Sequence, residues 1–152
     1  MKMNENKGAY GSLAVQTVLS GVIMYLVMFV MIDQASSFYH NLNMLYMTLM
    51  MVAPMVVLMV LAMRHMFPSK ALNAALIVGS LIAFFGSFAL IRTQTTIGDA
   101  QFARSMIPHH SGAILMCEQA NLSDPQLLGL CADIIKSQRE EIGQLETWLA
   151  RH

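Results

Sequence analysis

The sequence predicts an all-α protein: three membrane-crossing helices followed by a helical hairpin. Hydrophobic residues make up 56% of the chain and charged residues 12%, about half the ordinary charged share of ~25%. Three apolar runs, about 12–32, 42–63 and 71–91, have no Asp, Glu, Lys or Arg in their interiors. Beyond Gly98 the pattern becomes amphipathic, with apolar residues recurring at helical spacing. The predicted division is therefore a three-span region, 1–92, and a hairpin, 93–152.

Each apolar run has the ~20 residues that an α-helix needs to cross a hydrocarbon core of ~30 Å. Asp33 and the polar stretch Ser36, Ser37 and Asn41 close the first run, and Arg64, His65, Pro68 and Lys70 separate the second from the third. Arg92 ends the third. A cleaved signal segment, cut near Ala35-Ser36-Ser37, is the alternative for the first run, which is longer than the 7–15 apolar residues usual in one. Lys2, Lys7, Arg64 and Lys70 fall on one side of a three-span arrangement, against Arg92 and Arg104 on the other. The positive-inside rule then places the N-terminus in the cytoplasm and the hairpin outside.

Asp99 is expected to cap a helix reaching about Asn121, with Leu122-Ser-Asp-Pro125 as the turn. Pro125 suits the first turn of a second helix ending near Arg151. That helix carries Leu128, Cys131, Ile135, Gln138, Ile142, Leu145 and Leu149 in steps of three and four, widened by Ile134 and Trp148. A hairpin of about fifty residues has too small a core to stand alone. A second hairpin, most simply from another copy of the chain, is the expected partner.

The residues that could carry chemistry lie in Met106-Ile-Pro-His-His-Ser-Gly-Ala-Ile-Leu-Met-Cys117. At 100° per residue, Met106, His109, His110, Met116 and Cys117 share roughly 120° of one helix face. Thioethers, imidazoles and a thiol suit a soft cation such as Cu(I) or Ag(I); the same stripe also reads as core packing. Adjacent histidines point 100° apart, so one ion is not expected to take both from one helix. Cys117 and Cys131 lie about equally far from the turn, where they either form a disulfide or stay reduced as ligands. Gln138 and Glu141 are the candidates for holding an imidazole in one tautomer. Pro108 removes an amide donor and frees the carbonyl of Arg104.

Methionine is abundant, with fifteen in the chain. Met44, Met47, Met51, Met55, Met59, Met63 and Met66 form a stripe along the second run, and Met24, Met28 and Met31 a shorter one along the first. Such stripes either hand on a soft ion or pack helices. Ala75, Gly79, Ala83 and Ser87 form a small-residue ridge of the kind that lets helices approach. The formal net charge is zero, which argues against nucleic acid as a partner. No HExxH, GxSxG or phosphate-binding glycine loop occurs, and no Glu-x-x-His pair of a di-iron bundle. No enzyme is predicted.

The run Asp99-x-x-Phe102-x-x-x-Met106-Ile-Pro-His109-His110-x-x-Ala113-Ile114-x-Met116 resembles the signature of the family called domain of unknown function 305. The later Ile134-Ile135-x-x-Gln138-x-x-Glu141-Ile142-x-x-Leu145-x-x-Trp148-Leu149 is similar to its second half. The resemblance implies a ferritin-like bundle, here half of one completed by dimerisation. It also implies a bacterial inner-membrane protein with a periplasmic domain that binds copper as Cu(I), or silver, and serves copper tolerance or handover beside copper-export or copper-resistance proteins. Met106, His109, His110 and Met116 are the implied ligands, with Asp99 as cap or outer partner. Cys117 replaces the usual small residue, and Leu145 stands where a further Met is common. Two other readings are a membrane assembly module with a structural His pair, and a Met-lined copper transporter.

Overall fold

The computed structural model describes residues 2–152, with side chains from residue 8 onward. Lys2 and Lys7, which enter the predicted orientation, have side chains outside the described ones. Five helices account for the fold: α1 (Lys2–Val27), α2 (Leu42–Ala62), α3 (Lys70–Thr93), α4 (Asp99–Gln119) and α5 (Pro125–Leu149). No strand occurs among the described residues. Gly8–Val27, Leu42–Ala62 and Lys70–Thr93 are each long and apolar enough to cross a membrane.

The first run ends earlier than its composition predicts. Residues 28–32 are apolar, yet α1 stops at Val27 and Phe29 is buried at 5% exposure. An apolar residue reads alike whether lipid or protein will bury it, and here protein does. Met28 and Met31 therefore lie beyond α1, and the shorter methionine stripe does not run along a helix.

The chain forms two compact units that do not follow chain order. One comprises α1 with Leu45–Thr95, the other Met28–Met44 with Thr96–His152. The connection between α1 and α2 thus belongs with the hairpin. In the first unit Leu13, Val52, Val56, Val60 and Phe67 form the core, and Met24, Met55 and Met59 pack against it. The valine face of α2 points inward, with the methionines flanking it. Val18, Leu58 and Ile82 remain 64%, 66% and 68% exposed, a surface that suits hydrocarbon and not water.

Polar groups close the α2–α3 end of that unit. The Tyr10 hydroxyl donates to Asn73 Oδ1 at 2.8 Å and accepts from the Ser69 N–H at 3.2 Å. Ser69 caps α3 by accepting from the Leu72 N–H. Gln94, in the left-handed conformation at φ 53°, ends α3 by donating its N–H to the Leu90 carbonyl. Ala75, Gly79 and Ala83 of the predicted ridge line an apolar groove of about 510 Å³.

In the second unit α4 and α5 run antiparallel. Asp124 caps α5 through the N–H groups of Gln126 and Leu127, with Pro125 in the first turn as expected. Asp99 does not cap α4: its own backbone is already helical, and Gly98 holds the capping position. Its carboxylate in the first turn still complements the helix dipole. The α1–α2 connection, with a 3₁₀ turn at Ala35–Ser37, lies along α4. Gln101 Oε1 accepts from the Leu42 N–H at 3.0 Å, and Asn41 Nδ2 donates to the Arg104 carbonyl at 3.5 Å. That carbonyl is the one Pro108 leaves without a helical donor, so the loop supplies what the proline removed.

Candidate functional site

The predicted stripe divides in two on α4. Met106, His110 and Cys117 lie within about 40° of one another by helical phase and turn toward α5. His109 and Met116 sit about 60–120° away and are exposed, Met116 at 54%. The single face read from the sequence thus straddles protein and solvent.

Cys117 is bonded to Cys131, with Cα atoms 5.3 Å apart, and no free cysteine remains. This corrects Cys117 as a metal ligand, because a disulfide sulfur is not a thiolate. The bond instead fixes the register of the hairpin near its turn. Arg139 Nη2 donates to Glu118 Oε1 at 2.6 Å close by. Both side chains are solvated, so that pair adds little.

Further from the turn, α4 and α5 line a cavity of about 400 Å³ that is open to solvent on one side. Met106, His110, Glu141 and Gln144 line it, with Phe102, Leu145 and Trp148 as apolar walls. His110 is buried at 8% exposure. Its Nδ1 lies 3.3 Å from Glu141 Oε2, an ion-pair distance that is not aligned as a hydrogen bond, and this buried atom has no hydrogen-bond partner. Burial pulls the imidazole below its ordinary value of 6.5; Glu141 opposes the shift and His109 adds to it. At neutral pH the ring is therefore neutral, the form that can bind a metal.

Behind His110, the fully buried Ser111 accepts the Asp33 N–H and donates to the Asp33 carboxylate. Gly112 brings α4 close to the backbone of Met31. His110 is thereby held from the loop on one side and from α5 on the other.

Glu141 sits where the sequence predicts a partner for an imidazole. Gln138 is half-buried but does not line the cavity, and Asp99 is exposed away from it. The sequence reading missed Gln144. The signal is present: Gln144 follows Glu141 by three positions and adjoins Leu145 of the apolar seam, so Glu141, Gln144, Leu145 and Trp148 share one side of the helix. Among the described residues, no three His, Cys, Asp or Glu side chains converge. Any metal held here would rest on Met106 and His110, a soft pair that suits Cu(I) or Ag(I) better than a hard ion.

The chain is 39% identical over 112 residues to uncharacterized protein L153 of Acanthamoeba polyphaga mimivirus, covering 72% of this chain and 71% of the viral protein. Residues 98–152 match the family described as Domain of unknown function (DUF305). The chain belongs to the DUF305 family. No solved structure matches it. The DUF305 segment coincides with α4 and α5 and contains the whole cavity. The 112-residue likeness to the viral protein is about twice as long as that segment, so it extends into the residues before 98.

Proposed function

We propose that this DUF305 protein is a membrane-anchored binder of Cu(I) or Ag(I), serving tolerance or handover and not catalysis. The observation that carries the reading is that Met106 and a neutral, buried His110 share one cavity, with Glu141 beside them. With Nδ1 closed to solvent next to Glu141, a metal bond falls to Nε2. Glu141 orients the ring and offsets the positive charge of a bound monovalent ion. His109 and Met116, exposed on another face, serve capture or transfer.

The Cys117–Cys131 disulfide supports placing the hairpin in an oxidising compartment, the periplasm of a bacterial inner-membrane protein with a cytoplasmic N-terminus. Two soft donors are fewer than a closed site needs, and α5 has no buried residue along its 25. Both facts support a homodimer in which a second hairpin covers α5, giving a four-helix, ferritin-like bundle. The bare α5 face equally favours an assembly module without metal, next to copper-export proteins or others.

Silver uptake by the full-length protein in detergent separates these readings. The wild type should retain Ag(I) against a competing chelator, and His110→Ala and Met106→Leu should lose it. His109→Ala and Met116→Leu should keep most of it. Equal uptake by all four variants, or none by the wild type, rejects the metal reading and leaves the assembly module.

A further inference from the structure

Trp148 is the one tryptophan of the chain, and it borders the cavity that holds Met106, His110 and Glu141. Its ring is stacked on that of His152, with centroids 4.3 Å apart and planes 13° from parallel. His152 is itself tied back, its Nδ1 lying 3.0 Å from the Trp148 carbonyl. Stacking commits one face of the indole to His152.

A thioether and an imidazole leave a soft monovalent cation short of a third contact. Leu145, in the cavity wall, has no donor atom. Trp148 lies three residues, just under one helical turn, beyond it in the same wall. An indole face attracts cations through its quadrupole, most strongly among the aromatic side chains, and the attraction grows when water is excluded. The cavity is partly open, with Phe102 51% exposed and Trp148 half-buried, so the attraction falls between its exposed and desolvated limits.

We propose that Trp148 adds a cation–π cap to the ion held by Met106 and His110, on the side of the site that its own helix forms. This inference rests on the metal-binding reading above. It makes Trp148 a specificity-determining residue: a soft monovalent ion is satisfied by two donors and a π face, whereas Zn(II) demands four N, O or S ligands.

The test uses Ag(I) alone with the full-length protein in detergent, following uptake and tryptophan emission in one titration. Emission should change and saturate at the same equivalence as uptake, and Zn(II) should leave it unaltered. Trp148→Leu should weaken Ag(I) binding about two- to thirty-fold, and Trp148→Phe should fall between it and the wild type. Uptake with unaltered emission, or a Trp148→Phe protein no tighter than Trp148→Leu, overturns the cap and leaves the metal site standing. Absence of uptake by the wild type removes the metal reading itself, and the cap with it.

Discussion

Ser111 Oγ accepts the Asp33 N–H at 2.7 Å and returns its own hydrogen to the Asp33 carboxylate, so one side chain satisfies both groups of a residue 78 positions away. Ser111 has no solvent exposure and directly follows His110. Replacing Ser111 by Ala leaves both Asp33 groups without this partner. The expected loss is about 1–3 kcal/mol, the net worth of two hydrogen bonds at a half-buried residue, one of them to a carboxylate. Thermal unfolding in detergent reads it, and an unchanged melting temperature would show that water replaces the hydroxyl without loss.

The disulfide closes a loop of 14 residues in sequence separation. On the loop-entropy account such a closure is worth about 3 kcal/mol. The Cys117→Ser/Cys131→Ser protein should melt lower by that order, and the native protein should show no thiol without reductant. In cells, the Cys131 freed by Cys117→Ser should react with a membrane-impermeant maleimide added from outside. Labelling only after the membrane is opened would reverse the proposed orientation.

The buried His110 gives stability a defined dependence on pH. Its folded pKa lies below the ordinary 6.5, with desolvation the larger cause and His109 the smaller, against Glu141. Between those two values the unfolded chain binds the proton and the folded chain does not. The contribution is thus fully present above about 6.5 and is lost as pH falls through the folded value. Unfolding at a series of pH values should show this slope, and His110→Gln should flatten it. Equal slopes in both proteins would assign the dependence to other groups.

Much of the architecture is legible in the residues. The three apolar runs, the Asp124-Pro125 helix start and the facing positions of Cys117 and Cys131 about a common turn each follow from local chemistry, whereas the bond between the two sulfurs comes from the structure. What escapes such a reading is burial by distant segments. Residues 28–32 look like the end of a span because Phe29 is apolar, and only the fold reveals that it is buried by protein. The split of the α4 stripe has a similar origin. A 120° arc is wider than the contact one neighbouring helix makes, so His110 is enclosed while His109 is left in solvent. Glu141 was within reach of sequence reasoning because the hairpin register brings it level with His110. Gln144 carries the same kind of signal, three positions beyond Glu141 and next to Leu145 of the apolar seam.

The bond from Asn41 to the Arg104 carbonyl has a consequence for inheritance. A piece beginning at Thr96 would carry the cavity but lose Asn41, Asp33 and Leu42, the partners of Arg104, Ser111 and Gln101. The hairpin is therefore not a cassette that a single recombination point could splice onto another anchor. Two separated stretches of chain must travel together, or the recipient must bring a loop of its own that answers the same three groups.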